Sequence, residues 1–139
     1  MMGHITNMLI DMVKLHHGDE GVDRLFELSG QERRDFLIEE VYPEEEFQAF
    51  FNAAVELYGV TPMQAQEAFA GYFMEESPKL FPAIFKFAKN ARGLFEKIPS
   101  IHIQWPSAAS AENFREKLWV IHSDDEKLIF KYDSPNRLC

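Results

Sequence analysis

The sequence predicts an α+β protein that is mainly α-helical and ends in a small antiparallel hairpin. Three observations support this fold class. Apolar residues recur at helical spacing as far as about residue 105, Gly or Pro separates those segments, and the pattern then changes to β-branched and aromatic residues. With 139 residues and 46% hydrophobic content, the chain can bury a core. We expect one domain over 1–139, with an N-terminal helical subdomain over 1–60 and a second part over 61–139.

Three helices are predicted in the first 60 residues. The first covers 1–17 and ends at Gly18, a residue type that commonly follows helix C-termini. A short second helix covers 21–28. A third covers 43–58, where a proline opens the first turn and Gly59 ends the helix. The inward-facing residues of the first helix are expected to be Ile5, Met8, Leu9, Met12, Val13 and Leu15.

Three further helices are predicted before the hairpin. A capping threonine followed by proline begins a helix over 61–76, and Pro78 is expected to break it. A shorter apolar helix covers 80–87. The last covers 94–105, with Pro99 as a kink.

Two segments near the C-terminus predict an antiparallel hairpin. KLWVIH at 117–122 and KLIFKY at 127–132 are rich in β-branched and aromatic residues, and the polar SDDE separates them. Successive side chains of a strand point to opposite faces of a sheet. One face of the second strand and its continuation is therefore expected to hold Leu128, Phe130, Tyr132 and Ser134.

The distribution of charge excludes some classes of partner. The net charge is −9; residues 1–77 hold 4 Lys/Arg against 16 Asp/Glu, and residues 78–139 hold 10 against 7. Nucleic acids need a basic surface, so we expect no nucleic-acid partner. No run of 18 apolar residues and no secretory signal is present, which predicts no membrane span. The single cysteine, Cys139, fits a reducing cytoplasm.

The histidines differ in their chemical possibilities. His16 and His17 are adjacent and point about 100° apart on a helix, so they favour a helix-end cation over a metal site. His122 lies beside two aspartates and is expected at the surface. His102 lies in an apolar stripe, where a hydrogen-bonded core residue is the commoner interpretation. The alternative is haem iron, which needs only one protein ligand because the porphyrin supplies four.

The end of the chain offers donors for a carboxylate, but no catalytic group. The hydroxyls of Tyr132 and Ser134 share a strand face and could donate to one carboxylate. No histidine lies close to Ser134 in the sequence, no nucleophile-elbow glycines surround it, and the chain has no glycine-rich phosphate loop. We therefore do not expect an enzyme.

Several segments together resemble a known family. The opening MMGHITNMLIDMV, the corner KLHHGDEGVDRLFELSG, the glycine-aromatic AFAGYF, the histidine segment PSIHIQW and the closing YDSPNRLC occur in a consistent order. In this order they resemble the haem nitric oxide/oxygen binding (H-NOX) domain, which is related to the sensor domain of soluble guanylate cyclase. The final Leu-Cys is similar to that of bacterial members.

The resemblance implies a cofactor and its ligands. It implies haem b, with His102 as the axial iron ligand, inside the helices and hairpin of residues 61–139. Tyr132 and Ser134 would then hold the propionates. The family's arginine position is occupied by Asn136, and Arg137 follows one residue later, so either residue could complete this clamp. Family members continue past this point, which implies a C-terminally shortened fold.

The resemblance also implies what the protein senses. The distal pocket would be formed by four apolar residues, Ile5, Leu9, Phe73 and Met74. None of them donates a hydrogen bond to bound O₂, so NO is favoured over O₂. In the family, NO releases the histidine from iron and the resulting shift is transmitted to a partner, such as a histidine kinase or diguanylate cyclase. The alternative is a haem-free interaction module of the same fold.

Overall fold

A computed structural model describes residues 3–38, 40–104 and 118–132 of the protein. The predicted fold class is confirmed, because this part of the chain is mainly helical and has one two-stranded antiparallel sheet. Its elements are α1 (Gly3–Ser29), α2 (Glu44–Tyr58), α3 (Pro62–Leu80), α4 (Pro82–Lys86), α5 (Ala91–Gln104), β1 (Leu118–Ser123) and β2 (Leu128–Tyr132). The chain divides into two compact units, Met1–Glu76 and Ser77–Cys139. The subdomain boundary expected at residue 60 stays a prediction.

α1 joins the first two predicted helices across a kink. Gly18 has φ 67 and ψ −165, a conformation that favours glycine and interrupts the helix at the expected residue. The second segment follows directly, without an intervening loop. The expectation that Leu15 faces inward is wrong, since this side chain is 69% exposed. It lies on the outer side of the last turn before the kink, beside the exposed Lys14 and His16.

The core of the first unit forms where α1 packs against α2. Phe50 is fully buried, and its ring lies edge-on to Phe26 and Phe36 at centroid distances of 5.1 and 5.6 Å. α2 ends as predicted at Gly59, whose φ of 64 is left-handed and whose N–H donates to the Glu56 carbonyl. The buried apolar residues that pack together are Leu9, Val13, Val22, Leu25, Phe26, Phe36, Phe47, Phe50, Phe51, Ala53, Ala54 and Ala65.

α3 begins as predicted but ends later. The Thr61 hydroxyl accepts from the Gln64 N–H at 3.3 Å, and the Gln64 side chain accepts from the Thr61 N–H at 2.9 Å, which is a capping box. The predicted break at Pro78 is wrong, because α3 continues to Leu80. Proline removes only its own N–H from the ladder. Beyond the proline, the Phe81 N–H that follows the helix donates to the Ser77 carbonyl at 2.8 Å.

The helices of the second unit start at identifiable caps. α4 begins with Pro82 at its first turn, within the predicted segment. α5 begins three residues earlier than predicted because Asn90 caps it, with its Oδ1 accepting from the Gly93 N–H at 2.8 Å. Pro99 lies inside α5. The predicted last residue of this helix, Trp105, lies outside the described residues.

The hairpin is antiparallel, as predicted, and contains one irregularity. Val120 pairs with Phe130 and His122 with Ile129, so β1 has one extra residue between these pairs. In the turn, the Asp124 Oδ1 accepts from the N–H groups of residues 126 and 127, both at 2.9 Å. Within the described part of the chain, every buried apolar side chain belongs to the first unit. No described helix is both long and apolar enough to cross a bilayer.

Candidate functional site

The predicted iron ligand, His102, lies on α5. Its backbone is helical and it is two residues from the end of the helix. It follows Ile98 by four residues and Phe95 by seven, and these spacings place the three positions on one side of a helix. Ile98 is half-buried and Phe95 is 40% exposed. Position 102 therefore continues an apolar face of α5.

An aromatic contact connects α5 to the hairpin. The rings of Phe95 and Phe130 stack with a centroid distance of 5.4 Å and an interplanar angle of 19°. The Ser123 hydroxyl also donates to the Glu96 carboxylate. Since Phe130 is on β2, the strand that contains Tyr132 is anchored to the helix that contains His102.

The predicted propionate ligands lie at the end of this strand and beyond it. Tyr132 is the last residue of β2 and is paired with Leu118 of β1. Ser134, Asn136 and Arg137 lie outside the described residues. The choice between positions 136 and 137 stays a prediction.

The four predicted distal residues all belong to the first unit. On α1, Leu9 is 2% exposed and Ile5 is half-buried against the core. On α3, the Phe73 ring lies 6.5 Å from the Phe69 ring, and the Met74 side chain is 59% exposed. Leu9 and Phe69 also line a common cavity.

That cavity was not expected from the sequence. It measures about 130 Å³, and its walls are mostly apolar. The residues that line it are Leu9, Met12, His16, Phe51, Ala54, Tyr58, Val60, Gln64, Ala65, Ala68 and Phe69. The sequence identified Leu9 as inward-facing, but no local pattern indicates that residues from three helices leave a space between them.

Tyr58 provides the hydroxyl group of this cavity. The hydroxyl donates to the Met12 carbonyl at 3.3 Å, and the His16 Nδ1 lies 3.0 Å from the same oxygen. Because the single hydroxyl proton goes to the carbonyl, Nδ1 is the donor in the second bond. Burial raises the pKa of Tyr58, so the phenol remains protonated at neutral pH. His16 was expected only as a cation at a helix end, but its side chain also forms a hydrogen bond with the Tyr58 hydroxyl.

The donor groups fit a metal that brings most of its own ligands. Among the described residues, no three His, Cys, Asp or Glu side chains form a group that could hold a metal ion. A haem iron needs only one ligand from the protein, because the porphyrin supplies four. The exposed aromatic side chains on α5 and the hairpin, such as Phe95 and Phe130, have the apolar character that a porphyrin contacts.

A comparison with protein families gives the decisive observation. The family model described as Haem-NO-binding matches residues 2–139. The chain belongs to the haem-NO-binding family. The resemblance read from the sequence is thereby confirmed. A search of curated proteins finds no match.

Membership of the haem-NO-binding family establishes the general class of function. Its domains bind haem and serve as gas sensors, and the domain is a sensory one rather than a catalytic one. The residues of this chain fit that cofactor in their chemistry. A neutral imidazole can bind iron, and hydroxyl groups can bind carboxylates.

Proposed function

We propose that this haem-NO-binding protein is a cytoplasmic NO sensor that holds haem b through His102. Its propionates would be bound by the hydroxyls of Tyr132 and Ser134, together with Asn136 or Arg137. The observation that supports this assignment is the stacked pair of Phe95 and Phe130, which joins the helix of the proposed iron ligand to the strand of the proposed propionate ligands.

The protein residues have separate tasks in this proposal. When bound, the haem supplies an iron atom at which a diatomic gas binds. The His102 imidazole would hold the iron, and the helical backbone of α5 limits the rotamers open to that side chain. The hydroxyls of Tyr132 and Ser134 would donate to carboxylates, as predicted from their spacing of two residues.

A preference for NO over O₂ is supported by the distal residues. Bound O₂ is stabilised by a hydrogen-bond donor, and the side chains of Ile5, Leu9, Phe73 and Met74 contain none. Tyr58 lines the same cavity as Leu9, but its proton is already given to the Met12 carbonyl. The proposed distal side therefore offers apolar contact without a free hydroxyl proton.

The proposed output is a signal to a separate enzyme, such as a histidine kinase or a diguanylate cyclase. The sensory class of the family supports this view. A gas can change the activity of a partner only if it binds two conformations of the sensor with different affinity. We propose that the helices around position 102 differ between those conformations.

The proposal is tested by visible absorption spectroscopy during titration with haemin. We expect a Soret band with the wild-type protein. His102→Gly should shift or lose that band, and free imidazole should restore it. His122→Gly is the matched control, because His122 is hydrogen-bonded to Asp124 in the hairpin, and its spectrum should equal that of the wild type.

Two results would contradict the proposal. If the wild-type protein gives no Soret band, the haem-free interaction module becomes the better function, as favoured by Asn136 at the family's arginine position. If His102→Gly keeps the wild-type spectrum in every oxidation state, another residue binds the iron.

A further inference from the structure

The turn between α4 and α5 presents an exposed aromatic ring among cations. Phe87 directly follows α4 and is 68% exposed. The Lys97 ammonium lies 5.9 Å from the centre of the Phe87 ring and donates to the Phe87 carbonyl. Lys86 and Lys89 are exposed on either side of Phe87. We name these four residues, Lys86, Phe87, Lys89 and Lys97, the basic corner.

Local hydrogen bonds hold the basic corner in shape. The Ala88 N–H donates to the Phe85 carbonyl at 3.1 Å, which closes the last turn of α4. The Asn90 side chain caps α5, and the Asn90 carbonyl accepts from the Leu94 N–H at 3.1 Å. Phe87 is therefore exposed on an ordered turn and supported by a cation on its face. Aromatic side chains, Phe included, are enriched at the centres of protein interfaces.

The charge of the basic corner contrasts with that of the whole chain. Residues 86–97 contain four Lys/Arg and one Glu, in a chain with a net charge of −9. An extended anionic surface, such as a membrane or a nucleic acid, attracts a protein through basic residues spread widely over it, and the net charge of this chain is −9. A compact acidic patch can contact the corner alone, because charges more than about 8 Å away are largely screened at physiological salt.

We propose that the basic corner is a docking surface for a partner protein with an acidic surface around an apolar patch. Phe87 packs against the patch, and Lys86 and Lys89 face carboxylates at its edge. Charge complementarity selects this class of partner and speeds its association. The identity of the partner as a signalling enzyme rests on the proposed function, whereas the chemistry of the surface does not.

The test uses the full chain with haem added and a defined probe. The probe is a fluorescein-labelled helical peptide with glutamates on one side and leucines at i, i+3, i+4 spacing, and its binding is followed by fluorescence anisotropy. K86E/K89E should weaken binding at least about tenfold, as expected when two interfacial charges are reversed. F87A should weaken binding by a similar factor. This effect should persist at high salt, because the contact that F87A removes is apolar.

A matched control removes the effect of net charge. K127E/K131E changes the charge of the same unit by the same amount within the hairpin, and should change binding by less than about twofold. Circular dichroism verifies that each variant is folded. F87A is the safest variant in this respect, since the replaced side chain is exposed.

Three results would overturn the proposal. The first is that the wild type and K86E/K89E bind the peptide equally well, or that neither of them binds it. The second is binding to phosphatidylserine vesicles that K86E/K89E abolishes, which would assign the corner to a membrane. The third is a dimer that K86E/K89E dissociates in analytical ultracentrifugation, which would assign it to a second copy. The Soret band is recorded for each sample. If the Soret band is absent but K86E/K89E still weakens peptide binding, only the sensor proposal is contradicted. If the Soret band is present but K86E/K89E binds the peptide as the wild type does, only the docking proposal is contradicted.

Discussion

The two units of the chain use their apolar residues differently. In the first unit, Phe50, Val13 and Leu25 are fully buried between α1 and α2. In the described part of the second unit, large apolar residues such as Phe87 and Ile121 remain more than half exposed. The first unit therefore has a core of its own, whereas none of the apolar side chains described in the second unit is buried.

Because of this difference, the two units should contribute unequally to the stability of the protein and to its proposed function. Burial of apolar surface is the main stabilising contribution to folding, so the first unit should determine the stability of the protein. The residues proposed to bind the iron, the propionates and the partner, including His102 and the basic corner, belong to the second unit, whereas the four proposed distal residues belong to the first. Mutations in the two units should accordingly have different consequences.

The largest expected effect is the loss of a core aromatic ring. Phe50→Ala removes a fully buried side chain and should lower the free energy of unfolding by about 3–5 kcal/mol. The measurement is urea unfolding followed by circular dichroism. Phe87→Ala makes the same chemical change at a 68% exposed position and should cost no more than about 0.5 kcal/mol. Equal costs would contradict the comparison between the two units.

A second prediction concerns the close packing of the first unit. A Cβ atom at Gly3 would lie 2.2 Å from the Leu37 carbonyl oxygen, which belongs to the backbone and cannot move alone. Gly3→Ala should therefore lower the unfolding free energy by about 1–3 kcal/mol. Gly71→Ala is the control, because a Cβ there meets nothing within 4 Å. Gly71→Ala should stabilise α3 by up to about 1 kcal/mol. A lower free energy of unfolding for this variant would show that the added Cβ atom clashes with neighbouring atoms.

A third prediction concerns an ion pair at the edge of the core. Glu46 is 9% exposed, and its carboxylate accepts from Arg34, whose guanidinium lies 5.1 Å from the Phe36 ring centre. Arg34→Met leaves this carboxylate nearly buried without its cation and should cost about 1–2 kcal/mol. Arg24→Met breaks an exposed pair with Glu27 and should cost less than about 0.5 kcal/mol. Chemical denaturation of both variants compares them directly.

The smallest expected effect depends on pH and lies in the hairpin turn. Hydrogen bonds from His122 and from the N–H groups of Lys127 and Glu126 lower the pKa of Asp124. A lowered folded-state pKa adds stability above the ordinary carboxyl range, and that stability is lost as pH falls through the folded value.

Asp124→Asn should therefore speed amide exchange at residues 126 and 127 at neutral pH, and should match the wild type in strong acid. Hydrogen exchange followed by NMR measures this difference. Asp125→Asn removes the same charge from the next residue and should leave those amides unchanged. A difference from the wild type that is the same at all pH values would contradict the role given to the Asp124 carboxylate.

Much of the fold follows from local sequence signals. Gly18, Gly59 and the Thr61 cap act within one turn of the chain, so their effects on helix ends were predictable. The continuation of α3 through Pro78 was not, because it depends on whether the ladder of hydrogen bonds resumes after the proline. The exposure of Leu15 likewise depends on packing around the kink.

The sequence suggests candidate residues for the site, which stay predictions, but it does not indicate their contacts. A histidine in an apolar stripe and two hydroxyls on one strand face are visible in the sequence. The stacking of Phe95 on Phe130 joins residues 35 positions apart, which no local pattern specifies. The cavity beside Tyr58 depends in the same way on three helices that are distant in the sequence.

The proline inside α5 has a consequence for the motion of the proposed iron ligand. Pro99 has no N–H, so the Phe95 carbonyl lacks the helical bond that would connect the first turns of α5 to the turn containing His102. That final turn is held to the rest of the helix by one bond fewer than usual. This turn can therefore bend while Phe95 stays stacked on Phe130. A displacement of position 102 would then move only the few residues of the turn.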